Sequence, residues 1–282
     1  MLHWGSNVFR KTSGSSLCPS CGKLNSVQAP VCFYCGQRYP GLWGFGPTLT
    51  RLVGGLSFAR VVTAVCIAAY VVSLLLDVRV ATRIRGPLSI LAPSGAALDA
   101  LGMTGAAAWA VGRWWTLLTA IYLHGSLLHL LFNLLWVNQL APVVGELYGR
   151  SRLILIFTAA GVLGFVVSNG VGVPFTIGAS GAIFGLLGAM VCYGRSRGGA
   201  FGLGILRQYG QWALVIFVLG FLMAGVNNFA HAGGFAGGSL AAAALGPTDR
   251  RPEHAVHHVA AAATVALTAL AFLLSVWTAF GR

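Results

Sequence analysis

The stretch Phe175–Ala189 reads FTIGASGAIFGLLGA. It is rich in glycine and alanine, and apart from one threonine it holds a single reactive side chain, the hydroxyl of Ser180. An apolar run of this kind is typical of a helix that crosses a bilayer and lets a neighbouring backbone approach closely. The stretch raises the question of why a membrane helix is built around one serine.

The composition of the whole chain is that of a polytopic membrane protein. Of its 282 residues, 57% are hydrophobic and only 8% are charged, whereas about 25% are charged in soluble proteins. Basic residues that flank apolar spans explain the formal net charge of +13, so we expect a lipid bilayer and no nucleic acid as a partner. No cleavable signal peptide is expected, because the first sixty residues are polar.

Seven apolar stretches of roughly bilayer-spanning length follow a polar head. They lie near residues 61–78, 117–140, 152–169, 177–194, 210–227, 230–247 and 256–279. The fourth and sixth are rich in glycine, and the long segment Arg79–Trp115 predicts short amphipathic pieces in the membrane interface. The expected fold class is an all-α polytopic membrane protein, with a head at 1–58, a six-helix core at 59–248 and an additional C-terminal transmembrane helix in 249–282.

The distribution of basic residues predicts the orientation of these spans. Most of the 18 Lys and Arg residues lie in the head and in the loops after spans two, four and six. Since cytoplasmic loops carry an excess of Lys and Arg, we expect a cytoplasmic N-terminus and a C-terminus outside. Trp114 and Trp115 then fall at the outer interface, where indole rings prefer to lie.

A repeated cysteine motif distinguishes the head. Two CxxC motifs, Cys18-Pro-Ser-Cys21 and Cys32-Phe-Tyr-Cys35, are separated by ten residues. This spacing suits a tetrahedral site of four thiolates without an open position, so it predicts a zinc-ribbon-like domain with a structural Zn²⁺. Two disulfides or free thiols are the alternatives, but disulfides rarely persist in a reducing cytoplasm.

Polar side chains inside two of the spans indicate a functional site. Span two contains His124, His129 and Asn133 within YLHGSLLHLLFNLLWV, and span six places His231 within AHAGGFAGG. His129 and Asn133 are four residues apart and share a helix face. A single intramembrane histidine is more often a hydrogen-bonding residue between helices, but several such residues beside Ser180 favour a catalytic function.

Glycine patterns predict that spans four and six cross closely. Gly181 and Gly185 form a GxxxG pattern on span four, and two more lie on span six, Gly233 with Gly237 and Gly234 with Gly238. Such faces let helix backbones approach each other. Because Ser180 and His231 both lie near the outer ends of their spans, a tight crossing would bring the hydroxyl beside the imidazole.

The acidic residues offer no clear partner for His231. All five lie outside the spans or at their edges: Asp77, Asp99, Glu146, Asp249 and Glu253. We therefore expect a serine–histidine dyad without a catalytic cofactor, in which His231 takes the hydroxyl proton of Ser180 and returns it to the leaving amine. His129, Asn133 and the Ser180 backbone N–H can supply donors to the oxyanion. The words GASGA do not match the GxSxG elbow of the soluble α/β-hydrolases.

The chain resembles the rhomboid intramembrane serine proteases over roughly Arg60–Leu245. The motifs that carry the resemblance are WW-T-LLT, HGSLLHLLFN, GELYGRSRLI, GASGAIFGLLGA and AHAGGFAGG. It implies a six-helix catalytic bundle in which Ser180 is the nucleophile and His231 the general base. It also implies an oxyanion site of His129, Asn133 and the Ser180 amide. The supporting residues that we expect near this site are His124, Gly178, Gly181, Gly234 and Gly238.

The same resemblance implies hydrolysis of peptide bonds in or near the transmembrane helices of membrane-protein substrates. The seventh span is similar to the six-plus-one arrangement of some members. Thr116 follows Trp115 where the family often has an arginine, and the head, which could bind a cytoplasmic partner, is not part of the catalytic core.

Two other functions remain alternatives at this point. A catalytically inactive rhomboid-like protein would bind membrane clients without cutting them, but such relatives characteristically lack the serine or the histidine. A transporter or channel would use intramembrane polar residues as an ion path, and the absence of an acid within the spans disfavours it.

A second polar cluster precedes the last span. Glu253, His254, His257 and His258 have a helical spacing that could bind a metal ion. Because the cluster lies beside two arginines at the predicted cytoplasmic edge, we interpret it as a solvated face.

Overall fold

The computed structural model of the chain describes residues 10–18, 21–45, 57–81, 90–223 and 225–281. They separate into two compact units, Met1–Ser57 and Phe58–Arg282. The first unit is a small cysteine-containing head, and the second consists of helices.

The head is built on a short hairpin whose turn is the first CxxC motif. Strand β1 (Ser15–Leu17) pairs antiparallel with β2 (Leu24–Ser26), and a 3₁₀ turn follows at Leu42–Gly44. Gly22 and Gly36 each follow the second cysteine of a motif and adopt φ angles of 70° and 72°. Because side chains other than glycine rarely adopt this left-handed conformation, the two glycines allow both motifs to turn in the same way.

The second unit contains seven long helices among the described residues, one in each of the predicted apolar stretches. In chain order the α-helices are α1 (Phe58–Leu75), α2 (Val78–Ala81), α3 (Gly95–Ala100), α4 (Ala106–Ala110), α5 (Thr116–Thr119), α6 (Leu127–Tyr148), α7 (Arg150–Gly170), α8 (Ser180–Arg197), α9 (Gly199–Leu222), α10 (Asn228–Leu245) and α11 (Ala255–Phe280). A 3₁₀ turn at Ala120–Tyr122 follows α5. The prediction of an all-α membrane fold with a seventh C-terminal helix and a zinc-ribbon-like head is confirmed.

Five of the long helices in the described part of the chain are apolar enough to cross a membrane by length and composition alone: α1, α6, α7, α9 and α11. The other two, α8 and α10, are the helices that carry Ser180 and His231. Their glycine, serine, asparagine and histidine residues lower the mean hydropathy. The glycines among these residues allow α8 and α10 to lie in the centre of the bundle. There α8 is buried along most of its length.

Helices α8 and α10 pack backbone against backbone. A Cβ atom on Gly234 would lie 2.1 Å from the carbonyl oxygen of Gly181, and one on Gly238 would lie 2.2 Å from the Cα of Gly185. Each contact joins residues the same distance apart in sequence, so the two helices run parallel. Only glycine fits at these positions, as the GxxxG patterns predict.

Helix α7 covers the other side of α10 in the opposite direction. A Cβ on Gly233 would lie 2.9 Å from the Val167 side chain, and one on Gly237 would lie 2.9 Å from the Leu163 side chain. Residues further along α10 thus contact residues nearer the start of α7, so the two helices run antiparallel. Helix α10 is therefore enclosed between α7 and α8, and its glycines serve both neighbours.

The starts of α6, α8 and α9 are among the helix boundaries that differ from the sequence prediction. Helix α6 begins at Leu127 and not near residue 117, because Ser126 accepts a hydrogen bond from the backbone N–H of His129 and caps the helix. Helix α8 begins at Ser180, three residues later than predicted. Helix α9 begins at Gly199, so part of the predicted loop before it is helical.

The segment before α6 is anchored by hydroxyl groups and by the C-terminal helix. Trp115 donates its indole N–H to the Ser275 hydroxyl on α11 over 3.2 Å. Thr116, the residue after Trp115, donates its hydroxyl to the Arg113 carbonyl over 2.6 Å and lies 3.0 Å from the Thr104 hydroxyl. These contacts provide the anchoring that the sequence left open.

The interpretation of the second polar cluster as a solvated face is wrong for Glu253 and His258. The Glu253 carboxylate accepts the backbone N–H groups of Ser151 (2.9 Å) and Arg152 (3.0 Å), at the start of α7. His258 Nδ1 lies 2.7 Å from the Ser151 hydroxyl. The Arg152 guanidinium donates to the carbonyls of Gly246, Arg251 and Pro252. The cluster joins the last helix to α7 because the unpaired N–H groups at a helix start attract a carboxylate.

Candidate active site

Ser180 is the first residue of α8 and is partly exposed. The preceding turn is made possible by Gly178, whose φ angle of 116° is unfavourable for other residues. The first N–H groups of a helix have no intrahelical acceptor and carry the positive end of the helix dipole. The serine hydroxyl therefore lies at the end of a buried helix, beside backbone groups suited to a negative charge, and not in the middle of a span.

The imidazole of His231 lies against α8 one turn after the serine. Its ring stacks on Phe184, with the ring centroids 4.3 Å apart and the planes inclined by 17°. Phe184 follows Ser180 by four residues on the same helix, so both side chains share a face. His231 is only 5% exposed, and Gly181 lies against the carbonyl of the adjacent Ala230.

Asn228 is a site residue that the sequence reasoning missed. Its amide oxygen lies 3.1 Å from Nδ1 of His231. An amide oxygen can only accept, so this contact places the ring proton on Nδ1 and leaves Nε2 as the free acceptor. A neutral amide takes the place that an acidic side chain would have in a triad. The signal in the sequence is that Asn228 stands one helical turn before the histidine, in NNFAH. Gly220 of α9 leaves room for this amide.

His129 lies directly beside the turn that precedes the serine. Its Nε2 atom is 2.7 Å from the position that a Cβ on Gly178 would occupy. Its Nδ1 atom accepts the backbone N–H of Gly125 over 3.3 Å, which leaves the proton on Nε2. The first ring nitrogen is thus occupied, and an N–H donor remains on the side of the serine loop.

Asn133 and His124 complete the polar interior. The Asn133 amide nitrogen donates to the His129 carbonyl over 2.7 Å, while its oxygen is buried without a partner. The His124 ring packs edge-on against that of His129, 5.0 Å away between centroids, and its Nε2 atom is also buried without a partner. His124 does not lie in α6 as predicted, but in the extended residues before it.

A network of amides and hydroxyls holds the serine loop in place. Asn227 caps α10 by accepting the N–H of Ala230 over 3.1 Å. Its amide nitrogen donates to the hydroxyls of Ser168 (2.6 Å) and Thr176 (3.0 Å). One side chain therefore connects α10, the end of α7 and the loop that leads to Ser180. The sequence offered Asn227 only as a polar residue between two spans.

The four head cysteines converge as their spacing predicts. Their sulfur atoms all lie within 4.8 Å of one another, and both the Cys18–Cys35 and the Cys21–Cys32 sulfur distances are 3.7 Å. A tetrahedral zinc ion with Zn–S bonds of about 2.3 Å requires sulfur separations of about 3.8 Å. The cysteines fit such an ion, and they could hold a metal ion.

The surroundings of one sulfur favour its thiolate form. Burial opposes ionisation of Cys32, but the backbone N–H groups of Tyr34 and Cys35, together with hydrogen bonds from the Cys35 and Cys21 side chains, lower its pKa to about 6. The Asn25 amide also donates to the Cys32 sulfur over 3.1 Å. Because metal ligands must be deprotonated, these donors suit a metal-binding thiolate.

The helical unit is similar in sequence to known proteins. A family model described as the rhomboid domain matches residues 111–248. The rhomboid protease GluP of Bacillus subtilis (strain 168) is 41% identical over 141 residues, which are 49% of this chain and 27% of that protein. RHOMBOID-like protein 4 of Arabidopsis thaliana is 34% identical over 133 residues, 45% of this chain and 32% of that protein.

A third relative is the rhomboid protease GlpG of Salmonella choleraesuis (strain SC-B67), which is 34% identical over 111 residues. These are 39% of this chain and 38% of that protein. The chain thus spans only 27% to 38% of the length of these three relatives. The residues that match the family model include all the polar residues described between His124 and His231.

Proposed function

This chain belongs to the rhomboid family, and we propose that it is a serine endopeptidase that cleaves peptide bonds in or near the transmembrane helices of membrane proteins. The observation that carries this proposal is the contact between α8 and α10. Phe184, one turn after Ser180, stacks on His231, and the missing side chains of Gly181 and Gly234 allow the two helix backbones to lie in contact beside this pair. The two reactive side chains therefore lie at the same end of this crossing, which supports a catalytic pair over a protein that only binds membrane clients.

The first chemical step is acylation of Ser180. The hydroxyl oxygen attacks the carbonyl carbon of the substrate while Nε2 of His231 takes its proton. The tetrahedral intermediate then collapses, the C–N bond breaks, and the imidazolium returns the proton to the leaving amine. In the second step, water that His231 deprotonates attacks the ester, and Ser180 recovers its proton.

Asn228 orients the base in this mechanism. Its amide oxygen accepts the Nδ1 proton of His231 and keeps Nε2 available towards the serine. A carboxylate in this position would also stabilise the imidazolium electrostatically, whereas an amide does so only through its dipole. The proposed site is therefore a dyad with a neutral positioning residue.

Three groups are suited to bind the oxyanion. The Ser180 backbone N–H lies at the start of α8, His129 presents its Nε2 proton beside Gly178, and Asn133 keeps a second amide hydrogen beyond its bond to the His129 carbonyl. Donors that are already oriented cost little reorganisation when the charge develops, and each is typically worth about 10²- to 10³-fold in rate. His124 supports His129 by contacting its ring.

Catalysis in this scheme requires no metal. In the head, Cys18, Cys21, Cys32 and Cys35 would hold a zinc ion as a structural element, because four thiolates leave it no open position. The ion would supply folding free energy to a unit with few buried apolar residues. The head could in addition bind a cytoplasmic partner.

The orientation proposed for the chain places the head in the cytoplasm and the C-terminus outside, in accord with the excess of Lys and Arg on the head side. Ser180 and His231 then lie towards the outer surface. A helical peptide bond is hydrogen-bonded within its own helix, so cleavage requires local unwinding of the substrate. We expect substrates whose transmembrane helix is weakened by glycine or proline near its outer end.

Labelling with a serine-reactive fluorophosphonate tests the proposal. Purified wild-type protein should become labelled, whereas Ser180→Ala and His231→Ala should not, although both variants keep the wild-type thermal unfolding profile. Cleavage of a fluorogenic transmembrane peptide should disappear in the same two variants. Labelling of Ser180→Ala at the wild-type rate would refute the protease assignment and favour a client-binding protein.

A further inference from the structure

We propose that the head docks on an anionic lipid surface through an apolar patch beside its cysteine cluster. The patch consists of Leu17, Lys23, Leu24, Phe33 and Tyr34. This inference depends on the membrane insertion of the chain and not on its protease activity.

The members of the patch are brought together by the hairpin and by the second CxxC motif. Leu17 and Leu24 are directly paired across β1 and β2, so both side chains lie on the same face of the hairpin. The Lys23 ammonium lies 4.8 Å from the centre of the Tyr34 ring. Phe33 adjoins Tyr34 in the sequence. The contact of Lys23 with Tyr34 thus places the second motif beside the hairpin, at the residue that precedes Leu24.

This surface is unusually exposed for its composition. Leu17 and Leu24 are each 61% exposed, Tyr34 is 62% exposed and Phe33 is 86% exposed. Large apolar side chains grouped in this way on a water-soluble unit usually indicate an interaction surface. The two positions between the cysteines of a CxxC turn face away from the sulfur atoms, so the turn accounts for the exposure of Phe33 and Tyr34 but not for their aromatic character.

Charge favours lipid over protein as the partner. The first 76 residues contain no Asp or Glu, and the basic residues before α1 are Arg10, Lys11, Lys23, Arg38 and Arg51. Anionic headgroups attract such a unit, by a factor of about five in affinity for each basic residue near the surface. The core loops on the same proposed side also carry more Arg than acidic residues, so anionic lipid is the complementary partner.

The covalent connection keeps the head near the bilayer. Only about a dozen residues separate Phe45 from Phe58, where the first membrane-spanning helix α1 begins. Fully extended, this connection reaches roughly 45 Å at most. The connection therefore keeps the head within that distance of the start of α1, and aromatic and leucine side chains beside a lysine are the residue types that partition into the membrane interface.

Photocrosslinking in the 282-residue chain identifies the molecule that contacts the patch. Phe33 is replaced by p-benzoylphenylalanine, and the protein is reconstituted in vesicles of phosphatidylcholine, with or without phosphatidylglycerol, and irradiated. We expect lipid adducts, several-fold more of them with phosphatidylglycerol, and about a fivefold loss in the Lys23→Gln background. The control carries the same label at Ser13, an exposed head residue outside the patch, and should form few lipid adducts.

Adducts that join the label to the same chain, to a second copy or to another protein would overturn the proposal, as would equal lipid yields at Phe33 and Ser13. Metal content is measured in each variant to verify that the head is folded. A label at Leu24 provides an independent position if the first one disturbs the motif. In the unlabelled protein, backbone hydrogen exchange across residues 15–36 should slow when phosphatidylglycerol is present, and an unchanged rate would also contradict lipid docking.

Discussion

The amide oxygen of Asn228 lies 3.1 Å from Nδ1 of His231, one turn away on the same helix. This contact defines the tautomer of the imidazole in a site that has no acid among its described neighbours within the bundle. A neutral acceptor is less costly than a carboxylate in a low-dielectric interior, because no charge has to be desolvated. The arrangement explains how a histidine can be oriented inside a membrane protein without an acidic residue as the third member of the site.

Removal of the Asn228 acceptor should lower turnover more than substrate binding. We expect Asn228→Ala to reduce kcat about tenfold, a part of the effect of a general base, with little change in KM. Asn228→Asp keeps an acceptor at the same place and should recover most of the rate. Steady-state cleavage of a transmembrane peptide provides the measurement, and a wild-type kcat in Asn228→Ala would argue against the positioning role.

The glycine contacts predict a large difference between two Gly→Ala substitutions. Gly238→Ala would place a Cβ 2.2 Å from the Gly185 backbone and should destabilise the bundle by about 1–3 kcal/mol. Gly204→Ala on α9 meets no atom within 4 Å and should stabilise the helix by about 0.5–1 kcal/mol. Denaturation of both variants in mild detergent tests this, and equal stabilities would disprove the close crossing.

Asn133 should matter more for rate than for folding. Loss of one oxyanion donor in Asn133→Ala is expected to lower kcat by about 10²- to 10³-fold, while loss of its bond to the His129 carbonyl costs only about 1 kcal/mol. Asn138→Ala is the matched control, because Asn138 lies on the same helix and donates to Thr63 and Leu134. If unfolding accounts for the whole loss of activity in Asn133→Ala, the oxyanion assignment fails.

The cysteine geometry predicts one tightly bound zinc ion per chain. Protein purified without chelators should contain about one equivalent of zinc, and Cys32→Ser should lose it because three thiolates cannot complete the tetrahedral shell. Cys192→Ser, far from the motif in sequence and located in α8, should keep the full metal content. Elemental analysis is decisive here, and a wild-type metal content near zero would exclude the site.

The carboxylate that caps α7 predicts a role for the linker before the last helix. Glu253→Ala should lower the free energy of unfolding by about 1–2 kcal/mol, because two backbone N–H groups lose a charged acceptor. Glu146→Ala, at an exposed position of α6, should change it by less than about 0.5 kcal/mol. Thermal unfolding of the two variants in detergent makes the comparison, and similar effects would contradict the capping function.

Much of the candidate site could be predicted from the sequence because few polar residues occur within the apolar spans. Polar side chains are costly in hydrocarbon, so Ser180, His129, Asn133 and His231 stood out among apolar neighbours. The sequence did not reveal Asn227 and Asn228, because they stand at a helix start, where polar residues are ordinary caps. Glu253 was misread for a related reason, since a charge beside arginines looks solvated until the chain folds back.

The sequence by itself determined the membrane class, the seven helices and the cysteine motif, because hydropathy, glycine spacing and ligand spacing are local properties of the chain. It did not determine where α6 and α8 begin, since a helix start depends on a cap such as Ser126 or on a turn such as that at Gly178. Only the tertiary structure decided which side chains meet. The stacking of Phe184 on His231 arises from the packing of two separate helices, and no periodicity along the chain encodes a distance between them.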